Sequence, residues 1–184
     1  MKRFFLLLMF VGGQAAGNTC PATPDHSVAM ARLIEMIREA PSAPAAREIT
    51  AHMWALWSHA PDEVAQSILD VGLERRRAHD FAGALGEFDQ LVSYCPDYAE
   101  GWNQRAFVNF LRQDYATALP DLDRALELNP THLGALSGRA LTLMALGRED
   151  EAQADLRVAV GLNPWLPERG MLKEDGRNAG QSDL

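Results

Sequence analysis

Residues 99–132 read AEGWNQRAFVNFLRQDYATALPDLDRALELNPTH and residues 133–166 read LGALSGRALTLMALGREDEAQADLRVAVGLNPWL. Laid over one another, the two stretches keep small and large side chains in step, and residues 65–98 join the same register. Pro96, Pro130 and Pro164 recur 34 residues apart, as do Ala84, Ala118 and Ala152. Gly72, Ala106 and Ala140 form another small-residue set, Phe88, Leu122 and Leu156 a large apolar one, and Leu91, Ala125 and Ala159 complete the pattern. Self-similarity at a fixed period of this length is the mark of an array of supersecondary units.

Each unit fits a helix, a turn and a second helix ended by a polar residue and a proline, as in Leu128-Asn129-Pro130 and Leu162-Asn163-Pro164. Small residues at matched places let two helices approach closely, and the large residue beside them fills the gap. A single hairpin would bury about half a dozen side chains at roughly 2 kcal/mol each. That does not offset roughly 1.5 kcal/mol of ordering entropy per residue, so the units must stack. Pro120, inside the second helix of the middle unit, is expected to kink or open that helix.

Trp102, Arg105-Ala106, Asn109, Ala118, Leu122 and Pro130 resemble the tetratricopeptide repeat pattern, and the resemblance covers residues 65–166. Arg105 and Arg139 stand where the family has leucine, and Arg75, Asn109 and Leu143 where it has an aromatic. The resemblance implies an all-α fold: a short right-handed α-solenoid of three helix-turn-helix units over 65–98, 99–132 and 133–166. The stretch from Tyr98 to Phe110 is also similar to exported bacterial repeat proteins, of proteobacterial type.

Residues 18–61 contain two further helical segments, about Ser27 to Glu39 and Pro44 to Ser58, separated by Ala40-Pro41-Ser42-Ala43. The second carries Ile49, Met53, Leu56 and Trp57 on one stripe. Being out of register with the repeats, the pair is expected to form a hairpin that caps the first end of the stack. After the third unit, residues 167–184 are expected to be a disordered tail. No extra helix is evident to cover the last apolar face, so Trp165 and Leu166 folding back, a partner, or self-association must do so.

Lys2 and Arg3, the apolar run Phe4 to Val11 and the mostly small stretch Gly12 to Gly17 read as a signal peptide over residues 1–17. Eight apolar residues are too few for a span, which takes roughly 20. Gly17 and Thr19 disfavour a lipid anchor on Cys20. The expected location is periplasmic or secreted, and removal of the segment takes the formal charge from −8 to −10. That sign argues against nucleic acid as partner. Export places Cys20 and Cys95 in an oxidising compartment, where pairing is favoured over two free thiols.

No enzymatic constellation emerges. His26, His52, His59, His79 and His132 show no i, i+4 pair for a metal, and no CxxC motif, nucleophile elbow or phosphate-cradling glycine loop is present. No cofactor, metal or small-molecule substrate is expected. Arg105 with Asp121 and Arg139 with Asp155 share a spacing of sixteen and are expected to be structural ion pairs between the helices of one unit; the first unit has Val71 and Glu87 instead.

The resemblance implies that the first helix of each unit lines a concave face. There the sequence places Leu69, Leu73, Arg76 and Arg77 from the first unit, Glu100, Asn103, Phe107 and Phe110 from the second, and Ser137, Leu141 and Met144 from the third. An apolar groove of this kind suits a peptide or helix of another protein, here an envelope protein. The competing expectation is that the N-terminal helices fill the groove from within. A subunit of an envelope complex, self-associating through its last repeat, is the alternative function.

Overall fold

The computed structural model describes residues 19–173. The expected signal segment and residues 174–184 of the expected tail lie outside the described residues. Among those described, the regular structure is helical: α1 Ser27–Arg38, α2 Ala43–Trp57, α3 Glu63–Arg77, α4 Phe81–Tyr94, α5 Ala99–Leu111, α6 Tyr115–Leu128, α7 Leu133–Ala145 and α8 Glu149–Leu162, followed by a 3-10 turn at Pro167–Met171. The pairs α3/α4, α5/α6 and α7/α8 pack as hairpins and stack in chain order.

The turns inside the three hairpins are built alike. His79, Gln113 and Gly147, one period apart, have φ of 63°, 61° and 74°. Beyond each, the N–H of Asp80, Asp114 or Arg148 donates to the carbonyl of Arg75, Asn109 or Leu143, closing the first helix. Only the third unit uses glycine for this left-handed position. Asp80 and Asp114 then cap the second helices, their carboxylates accepting from the N–H of Gly83 and Thr117.

Packing within the units follows the small and large sets. Ala84, Ala118 and Ala152 are completely buried, as are Leu91, Ala125 and Ala159. Gly72 is required by its neighbour: a Cβ there would lie 2.5 Å from Phe88 Cε1. The larger ring of the first unit thus occupies the space that an alanine Cβ takes beside leucine in the other two. Helix α6 runs unbroken through Pro120, which is solvent-exposed, so the expected opening is not present. Its ring points outward, where the carbonyl it leaves unbonded is within reach of water.

The N-terminal hairpin α1/α2 is not placed at the first end of the stack. It lies along the array, against the corners where one unit passes to the next. Tyr98, His132 and Leu166 are buried, one period apart, at these corners. The Tyr98 hydroxyl donates to the Trp57 carbonyl at 2.7 Å, and the His132 ring stacks on Trp57 with centroids 4.4 Å apart. Leu166 shares a core with Ile37, Met53 and Trp57. Further along, Arg38 Nε donates to the Gly161 carbonyl at 2.9 Å. The physical reason is the apolar stripe Met53–Trp57, which meets Leu133 and Leu136 of the third unit. The outward side of α3 interleaves exposed Val64 and Val71 with Glu63, Asp70 and Glu74, and stays solvated.

Cys20 and Cys95 form a disulfide across 75 residues, fastening the segment before α1 to the end of α4. Thr23 adds a hydroxyl bond to the Asp97 carbonyl at 3.1 Å.

The far end of the array is covered from within. Leu166 is buried and the 3-10 turn packs on α8. The Gln153 amide donates to the Met171 carbonyl at 3.0 Å, while its oxygen accepts from the Lys173 N–H at 2.8 Å. Residues 167–173 are therefore not the disordered start of a tail. The polar Gln153 side chain on α8 provides the backbone partners that hold them.

Candidate functional site

The first helices α3, α5 and α7 line a groove of about 500 Å³. Of the residues expected there, Leu73, Arg76, Arg77, Asn103, Phe107, Phe110, Ser137 and Leu141 line it. Leu69, Glu100 and Met144 do not. Leu69 is fully buried in the first unit's core with Phe88, and Met144 sits half-buried near the end of α7. Glu100, 2% exposed, is sealed beneath His132 and the residues that follow it on α5.

Glu100 holds the most polar part of the interior. Its carboxylate accepts from Asn103 Nδ2 at 2.9 Å, from the Gln104 amide, and from His132 Nε2 at 3.0 Å. His132 Nδ1 in turn accepts from the Ala135 N–H at 3.2 Å, capping α7, which places the ring hydrogen on Nε2, toward Glu100. The Gln104 oxygen accepts from the Arg76 guanidinium, which lies 4.9 Å over the Phe107 ring. Burial pushes the Arg76 pKa down, and the Glu100 charge opposes that shift. Asn103 reaches the groove, with one N–H of its amide bonded to Glu100.

One wall is unforeseen. Helix α2 supplies Thr50 and Trp54, and Ser58 follows them. The N-terminal helices therefore border the groove and leave its floor open: Phe107 remains 40% exposed. Trp54 lies so close to α7 that a Cβ on Gly134 would be 2.6 Å from its ring. The sequence held a signal for this, since Gly134 opens a helix where the other units have Gln66 and Glu100. The 3-10 turn closes the groove with Pro167 and Glu168.

The paired arginines sit on the other side of the helices. Arg105 meets Asp121 through Nε at 2.8 Å and Nη2 at 2.6 Å, and Arg139 meets Asp155 at 2.7 Å through both nitrogens. Each also reaches back to the preceding unit, Arg105 to Asp89 at 2.9 Å and Arg139 to Asp123 at 2.8 Å. These carboxylates raise both guanidinium pKa values. The arginines thus join successive units as well as the two helices of one unit. In the first unit, Arg75 pairs with Glu87 at 3.3 Å.

His59 meets His26, with Nδ1 and Nε2 3.2 Å apart, and stands apart from His52. No group of three or more His, Cys, Asp or Glu suited to a metal occurs among the described residues.

Stacked helical hairpins bordering a concave groove define a helical repeat protein of the binding-surface type. Residues 110–164 match the family model described as tetratricopeptide repeat. This part of the chain carries tetratricopeptide repeats. A TPR repeat-containing protein of Rhizobium etli is 38% identical over 80 residues, covering 44% of this chain and 38% of that protein. Tetratricopeptide repeat protein 36 of Homo sapiens is 35% identical over 105 residues, covering 55% and 56%. The chain spans about two fifths to three fifths of the length of these curated relatives. Among solved structures, the first TPR domain of Spaghetti (RPAP3) bound to an HSP90 peptide superposes with a TM-score of 0.57 at 22% identity, over 58% of this chain and 85% of that one. MamA superposes with a TM-score of 0.53 at 20% identity, over 71% and 74%.

Proposed function

We propose that this protein is a non-enzymatic interaction module of the bacterial periplasm that holds a peptide or helix of an envelope protein in its groove. The observation that carries the reading is the half-exposed aromatic floor, Phe107 and Phe110, walled by Trp54 and left open by the protein's own helices. An apolar recess with convergent polar groups is the usual form of a binding site. The solved RPAP3 domain carries a peptide of HSP90, and a yeast Sti1 domain of the same fold is described as a complex with Hsp70, which supports protein segments as the ligand class. The signal-like first seventeen residues and the disulfide support the exported setting.

Affinity capture from envelope extract, with partners identified by mass spectrometry, tests the reading. Phe107→Ala combined with Phe110→Ala is expected to weaken capture of a specific partner by about a hundredfold, because two aromatic contacts of roughly 1.5 kcal/mol each are removed. Equal capture by the double variant would move the site away from the groove. Self-association, the alternative, draws less support from the structure, since Leu166 and the 3-10 turn cover the last unit. Light scattering that finds a monomer at high concentration would exclude it.

A further inference from the structure

Two oxygens that line the groove are buried and lack a hydrogen-bond partner among the described residues: Ser137 Oγ on α7 and Glu168 Oε2 in the closing turn. A buried acceptor with nothing to accept is costly, more so on a carboxylate, and a site built to receive a donor is the arrangement in which that cost is recovered on binding. Both oxygens belong to the third unit and the turn that follows it. From the first unit, α3 supplies Arg76 and Arg77 to the same groove. These are the two cations among its lining residues, and Glu168 is the one carboxylate. Arg77 is held at 2.6 Å by Glu74, both largely solvent-exposed. Exposed pairs of this kind are weak, so an incoming carboxylate can share or replace Glu74. Phe107, Phe110 and Leu141 lie on α5 and α7, between the two charged ends.

We infer that the groove selects a peptide of mixed charge: an acidic side chain against Arg76 and Arg77, bulky apolar residues over Phe107 and Phe110, and a lysine or arginine donating to Glu168 and Ser137. This rests on the groove being the binding site and adds the chemistry of the occupant. It differs from a purely acidic or purely apolar ligand, because each end of the groove rejects one sign of charge.

The test is calorimetric titration of the full oxidised chain with four blocked synthetic peptides sharing a Leu-Phe-Leu centre. One is flanked by Asp and Lys, one by two Asp, one by two Lys and one by two Ala. The mixed peptide is expected to bind about tenfold more tightly than the two-Asp and two-Lys peptides, which each lose one charge-assisted hydrogen bond, and about a hundredfold more tightly than the two-Ala peptide, which loses both. Glu168→Gln is expected to erase the advantage of the mixed peptide over the two-Asp peptide without lowering the melting temperature, since it removes an unpartnered buried charge. Equal affinities for all four, together with loss of binding in Phe107→Ala, would overturn the mixed-charge selection and leave the groove standing. Absence of binding by every peptide would overturn the selection, and undiminished partner capture by the Phe107→Ala, Phe110→Ala variant would remove the groove as well.

Discussion

Replacing Glu100 with alanine is expected to lower the free energy of unfolding by roughly 3–5 kcal/mol, the range for breaking a buried charged network by removing one member. The carboxylate is 2% exposed and satisfies Asn103, Gln104 and His132 together. Its loss leaves three largely buried donors without their acceptor, and unpaired buried donors cost more than the bonds they made. The damage extends beyond α5, because His132 both caps α7 and carries the ring on which Trp57 is stacked. The hairpin should therefore loosen along with the second unit. Glu100→Gln keeps the size and one acceptor oxygen, but sets its own amide against one of the three donors, so about half the loss is expected. Denaturant melts followed by circular dichroism measure both. An alanine variant within 1 kcal/mol of the parent would show that the network contributes little.

Replacing Cys20 and Cys95 together with serine is expected to cost roughly 4 kcal/mol, from the entropy that a 75-residue closed loop withholds from the unfolded chain. Most of that loss acts through the unfolded state, so the repeats of the folded variant should keep their circular dichroism spectrum. A local effect is also expected where the bond does its fastening. Without it, the segment before α1 retains the Thr23 bond to Asp97 and the His26–His59 contact, both exposed. Amide hydrogen exchange should then quicken in α1 well before α4, whose Phe88 and Leu91 remain in the core. Unchanged stability in the serine variant would mean that other contacts already constrain the N-terminal segment in the unfolded ensemble.

How far the sequence disclosed this arrangement depends on whether a residue answers to its own repeat or to something outside it. The three hairpins were legible because close helix approach demands small residues at fixed places, and Ala84, Ala118 and Ala152 satisfy that demand three times over. The hairpin α1/α2 obeys no such register. Its docking sites Tyr98, His132 and Leu166 do recur at the period, but as a phenol, an imidazole and an isobutyl group, which self-comparison does not connect. Glu100 shows the consequence. Helical rotation places it on the inner face, and only the α2 helix above it, with Trp57 laid on His132, turns that position into interior. Leu69 failed for a simpler reason: one turn before Leu73 on the same helix, it is fully buried in the core around Phe88. The reach of Arg105 and Arg139 back to Asp89 and Asp123 was readable in principle, since those aspartates are themselves one period apart.

Site-directed photo-cross-linking in intact cells tests the central claim most directly. A photoreactive residue at Leu141, on the groove, is compared with one at Val158, half-exposed on α8 and outside it. The account predicts a discrete adduct with another envelope protein from position 141, lost when Phe107 and Phe110 are both alanine, and none from position 158. Adducts from position 158 with none from 141 would contradict it and put the working surface on the outer helices.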